Sequence, residues 1–119
     1  MKIAITSQGA TSNSPVDSRF GRAKYFMIYD ADQNTFSALD NDQNLNAPQG
    51  AGIQSAATVV NAGCTALITG HCGPKAFAAL TKAGAAVYTV SGGTVAQAIE
   101  AFKRGDLKKI ENADVEGHW

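Results

Sequence analysis

At 119 residues the chain has room for one domain with one core, and not for two. Ten basic residues balance ten acidic ones and no basic run occurs, which argues against nucleic acid as a partner. No apolar run approaches the ~20 residues of a membrane span, and the first residues lack a long apolar signal, so the expectation is a cytoplasmic protein without a membrane partner.

Lys2-Ile3-Ala4-Ile5-Thr6-Ser7 reads as a short central strand. Gln8 to Ser18 is rich in Gly, Ser, Thr, Asn and Pro, a long loop of the kind that serves a function, and it runs on into Arg19-Phe20-Gly21-Arg22. Lys24 to Asp30 contains five large apolar residues and reads as a second strand. Asp30 to Asn34 is turn chemistry, so Thr35 to Leu39 pairs back as a hairpin. Asp40 to Gly52 is a second polar loop.

Ile53, Ala56, Ala57 and Val60 then fall at helical spacing, and Gly63 ends that helix. Thr65 to Thr69 is the next strand. A second helix starts at Pro74 and stops at Gly84. Ala85 to Val90 is a fifth strand, followed by the turn Ser91-Gly92-Gly93. Thr94 with Gln97 makes a capping-box pattern for a third helix, which Gly105 closes. No regular element is expected from Asp106 onward. The expected organisation is one domain over 1–111 and a polar tail over 112–119.

Strand-helix-strand crossovers force parallel, right-handed connections. Together with the opening meander they predict a mixed sheet in the order 3-2-1-4-5 with helices on its faces. The core should include Ile3, Ile5, Phe26, Ile28, Leu67, Ile68 and Val87. Four loops then meet at one edge: Gln8–Arg22, Asp40–Gly52, Gly70–Pro74 and Ser91–Thr94. Ligands of open α/β sheets bind at such edges.

The most informative turn is Thr69-Gly70-His71-Cys72-Gly73-Pro74-Lys75. Its glycines let the backbone bend, and Pro74 suits a first helical position. The rim gathers Arg19, Arg22, Lys24 and Lys75 beside helix N-termini that attract anions, with Asp17, Asp40 and Asp42 tempering the charge. Cys72 reads either as a small buried apolar residue or as a thiol activated by a helix start. His71 reads as a hydrogen-bonding rim residue or as a metal ligand beside Cys72. One His and one Cys do not close a zinc site, whereas a preassembled cluster needs fewer protein ligands. Cys64 and Cys72 would lie roughly 25 Å apart along a strand, too far for a disulfide. No P-loop or G-x-G-x-x-G occurs, and no serine-hydrolase or zinc-protease motif either. The central strand carries no carboxylate for two-metal nuclease chemistry.

Ser18-Arg19-Phe20-Gly21-Arg22-Ala23-Lys24-Tyr25-Phe26 resembles the Phe-Gly-Arg-Ala-x-Tyr-Phe signature of the dinitrogenase iron–molybdenum cofactor biosynthesis family, which includes NifX-like carriers and the orange proteins of sulfate reducers. Gly50-Ala51-Gly52, Gly70-x-x-Gly73-Pro74 and Thr94-x-x-x-Ala98-Ile99 resemble the same family in the same order. The resemblance covers Met1 to about Lys108. It implies a ribonuclease-H-like three-layer α/β fold, with a five-stranded mixed sheet and three helices, lacking nuclease activity. It also implies non-covalent binding or carriage of a molybdenum-containing sulfur cluster, either a molybdenum–copper sulfide or an iron–molybdenum cofactor precursor, and a protein partner in its delivery. Together with the rim it nominates Arg19, Phe20, Gly21, Arg22, Gly50, Gly52, Gly70, Gly73 and Pro74 as cofactor-binding residues. The metal role of His71 and Cys72 comes from the turn itself and not from the family pattern. Two other readings stand beside this one: a protein-interaction module using the same rim, and a thiol enzyme with Cys72 as nucleophile and His71 as base.

Overall fold

The computed structural model describes residues 1–41 and 51–110. Gly50, Asp42 and the tail over 112–119 therefore lie outside the described residues.

Three strands open the fold: β1 (Lys2–Ser7), β2 (Tyr25–Asp30) and β3 (Thr35–Asp40). The β2–β3 turn is held by the Asp30 carboxylate, which accepts the N–H of Asp32 at 3.0 Å and of Gln33 at 3.3 Å. Asn34 takes the left-handed φ of 54° that closes the hairpin. Next come α1 (Ala51–Asn61), β4 (Cys64–Thr69), α2 (Pro74–Lys82), β5 (Ala86–Thr89), α3 (Val95–Arg104) and β6 (Lys108–Lys109). The sheet order is β3-β2-β1-β4-β5-β6. β1 runs antiparallel to β2 and parallel to β4, so it is central as its apolar run requires.

The alternation of side chains along these strands builds two cores. Ala4, Phe26, Ile28, Leu67 and Val87 face α1 and α2, which pack on one side. Ile3, Ile5, Met27, Tyr29, Ala66 and Ile68 face α3 on the other. The three-layer arrangement and all seven expected core residues are present.

Three expectations are corrected. First, the sheet has six strands, not five. β6 falls where no element is expected, because Lys108 and Lys109 carry no strand signal. Its pairing is imposed by the open edge of β5, where Val87 accepts the Ile110 N–H at 2.9 Å. Second, of the stripe Ile53, Ala56, Ala57 and Val60, α1 buries only Ala56 and half-buries Val60. It buries Ala51, Gly52, Ser55, Ala56 and Val59, and Ile53 is 48% exposed. Small residues allow close packing, and the buried Ser55 hydroxyl donates to Asn41 Oδ1 at 3.3 Å, so its polarity is satisfied. Third, Gly52 lies inside this helix and not in a loop.

Candidate functional site

The carboxyl ends of β1, β4 and β5 share one edge with the start of β2 and the end of β3, since Ser7 pairs with Tyr25 and Tyr25 with Asp40. The connection over residues 8–24, here loop 1, is fastened across this edge. The Asp17 N–H donates to the Thr6 carbonyl at 2.9 Å, and the Thr6 hydroxyl donates to the Asp17 carbonyl at 2.6 Å. His71 N–H donates to the Ser18 carbonyl at 2.7 Å, and Phe20 N–H to the His71 carbonyl at 3.2 Å. Phe20 is fully buried, its ring 5.6 Å from that of Phe26. Gly70 is required here, because a Cβ would come within 2.7 Å of Ser18 Cα and 2.8 Å of its carbonyl oxygen.

Two depressions meet at Ser18. One, of about 300 Å³, is lined by Gln8, Asp17, Ser18, Arg19, Arg22 and Lys24. The other, of about 470 Å³, is lined by Ser18, Gly70, His71, Thr89, Val90, Ser91 and Gly92. The first is cationic: among its described lining residues three are basic and one, Asp17, is acidic. Among the described residues the second is lined by no lysine, arginine, aspartate or glutamate.

The nominated residues divide accordingly. Arg19 and Arg22 line the charged depression, and Gly70 and His71 line its neighbour. Phe20 and Gly21 are buried and shape loop 1 from beneath. Gly73 caps α2 and Pro74 occupies its first turn, but neither lines the two depressions.

Of the two readings of Cys72, its burial favours the small apolar residue, and His71 stands apart from it. On extended backbone, adjacent side chains point to opposite sides. His71 is exposed, whereas Cys72 is 0% exposed within the cluster of Phe20, Phe26, Leu67 and Leu80. Its Sγ lies 3.8 Å from the Gly73 carbonyl. Cys64 is also buried, and burial pushes its thiol up to about 11 despite the opposing pull of Lys2. Among the described residues no cluster of three His, Cys, Asp or Glu side chains forms a metal-binding group.

The free helix N-terminus expected at α3 is closed as well. Val95 N–H donates to Ser14 at 3.0 Å and Ala96 N–H to Ser12 at 2.8 Å, both on loop 1 carbonyls. Gln97 N–H donates to Thr94 Oγ1 at 3.2 Å, and the Gln97 side chain accepts Thr94 N–H at 2.9 Å. The capping box and loop 1 together satisfy the first turn, leaving no donors for an anion.

The sequence placed the loops of Gln8, Ser18, Ser91 and Gly92 at this edge without nominating these residues, and it missed Thr89 and Val90. Nothing in Ser18 marks it, because its place follows from the Gly70 contact. The run Ser91-Gly92-Gly93 does carry a signal, since both glycines adopt positive φ, 90° and 89°.

A family model described as dinitrogenase iron–molybdenum cofactor matches residues 1–105. The apo form of the orange protein from Desulfovibrio gigas is 36% identical over 96% of both chains, with a TM-score of 0.93. A Thermotoga protein provisionally named NifB is 36% identical over 98% of both chains, with a TM-score of 0.85. A Methanocaldococcus jannaschii protein, 23% identical over 94% of this chain and 96% of its own, shares the fold with a TM-score of 0.68. No curated protein matches. The chain belongs to the dinitrogenase iron–molybdenum cofactor family.

Proposed function

We propose that the protein binds and carries an anionic metal–sulfur cluster on this rim, non-covalently and without catalysis. The observation that carries the reading is the convergence of Arg19, Arg22 and Lys24 on one depression, on a loop stitched to the central strands. A thiometallate is an anion rich in soft sulfides, each an acceptor for N–H donors. Guanidinium groups offer several such donors in one plane and stay charged at all working pH values. The neutral depression beside Ser18 gives the rest of a bulky cluster room against glycine backbone.

Family membership and a relative described in an apo form support a cargo-binding role. The cargo proposed is a molybdenum–copper sulfide or an iron–molybdenum cofactor precursor, handed on to a protein partner in the cytoplasm. The thiol-enzyme reading has no accessible nucleophile to rest on, since both cysteines are buried.

The test is titration of the metal-free protein with tetrathiomolybdate, with and without copper(I), followed by visible absorption and elemental analysis. Saturable uptake at a fixed stoichiometry supports the reading. No uptake by folded protein overturns it and leaves the rim as a protein-docking surface.

A further inference from the structure

Arg19 and Arg22 enter the charged depression from the same loop, and the backbone of Arg19 is fixed on both sides. Before it, Asp17 is gripped at its N–H and its carbonyl by Thr6. The Thr6 hydroxyl also lies 3.0 Å from Thr69 Oγ1. The Thr6 hydroxyl on β1 thus faces both Thr69 on β4 and the Asp17 carbonyl on loop 1, and its bond to Asp17 is the shorter. After it, Phe20 is sunk in the core and bonded to His71. Asp17 itself is 6% exposed. Its Oδ1 accepts the Arg19 N–H at 2.9 Å and lies 3.5 Å from Arg19 Nε. The Arg19 side chain nonetheless remains 45% exposed over the depression.

We infer that Asp17 is a positioning residue for anion binding: its buried carboxylate holds the Nε side of Arg19 and leaves the terminal guanidinium N–H groups for the ligand. The inference rests on the reading of the rim as an anion site, and it carries a sign that simple charge does not. A carboxylate beside an anion site repels the anion, so removing its charge should tighten binding if charge alone matters. If Asp17 acts by orienting Arg19, removing the charge weakens binding.

Asp17→Asn separates the two, because the amide oxygen still accepts the Arg19 N–H and the turn survives. In metal-free protein, 15N relaxation should show Arg19 Nε ordered in the wild type and averaged in Asp17→Asn. In titrations with tetrathiomolybdate, Asp17→Asn should bind about tenfold more weakly, as expected for loss of a charge-assisted, oriented contact. Arg19→Gln should weaken binding similarly, and the double variant should be no worse than Arg19→Gln alone. Tighter or unchanged binding in Asp17→Asn overturns the inference, as does an Arg19 Nε equally ordered in both proteins. A wild type that takes up no tetrathiomolybdate overturns the cluster reading instead, and the Nε relaxation then decides the role of Asp17 by itself.

Discussion

The two depressions that meet at Ser18 are made in different ways from the same loop. The charged one is built from side chains: loop 1 delivers Arg19, Arg22 and Lys24, and the strands beneath contribute only anchorage. Its neighbour is built largely from backbone, where β4 and β5 run on into Gly70, Ser91 and Gly92, and among the described residues His71 supplies its one titratable side chain. Charge and shape are thus placed by separate parts of the chain. A substitution can remove one and spare the other, unless it strikes the wall they share.

The largest effect is therefore expected beneath that wall. Phe20 is fully buried between Phe26 and α2, and its backbone joins loop 1 to His71. Phe20→Ala should cost about 3–5 kcal/mol of stability, read from urea melts, and abolish tetrathiomolybdate uptake under conditions where the loop is released. A loss below about 1 kcal/mol would mean that the hydrogen bonds to His71 hold loop 1 without the ring.

Next comes the charged side alone. Arg22 is half-buried, more than a freely solvated rim arginine would be. Arg22→Glu reverses one of three positive charges in the depression, so uptake should weaken by about two orders of magnitude while the fold persists. Equal binding by wild type and Arg22→Glu would remove the charged depression from the site and leave only its neighbour.

Gly70→Ala acts on the seam. The added methyl would sit 2.7 Å from Ser18 Cα, a backbone atom that cannot turn aside as a side chain can. Overpacking of this kind should cost about 1–3 kcal/mol and shift loop 1 away from the β4 turn. Binding should fall with it, because both depressions include Ser18. Unchanged stability would show that loop 1 rides over the turn without close contact.

How far the sequence alone led follows from the same division. Strand order, the central place of β1 and the meeting of loop 1 with the turns after β4 and β5 were legible because they follow from hydrophobic runs and from the handedness of strand-helix-strand units. The sealed start of α3 was half legible. Thr94 and Gln97 announced the capping box, but the carbonyls of Ser12 and Ser14 arrive from about eighty residues away and leave no local mark. That His71 is exposed and Cys72 buried was not legible for a related reason. Adjacency in sequence suggested adjacency in space, whereas extended backbone sends the two side chains to opposite sides. α1 misled by composition: Ile53 outweighs Ser55 on any apolarity scale, yet the face that meets the sheet needed small residues more than apolar ones.

The smallest effect is expected at His71, and it is the one that measures how far the cargo extends. The His71 side chain is exposed and lines the neutral depression, while its backbone carries the bonds that hold loop 1. His71→Ala keeps those backbone bonds, so the fold and the charged depression should survive. If a cluster fills only the charged side, tetrathiomolybdate uptake should be unchanged with or without copper. If a larger copper-bridged cluster reaches past Ser18, the variant should lose a few-fold in affinity, about the worth of one hydrogen bond, and only when copper is present. A loss of equal size without copper would place the smaller anion beside His71 from the start, and would reverse the assignment of which depression binds first.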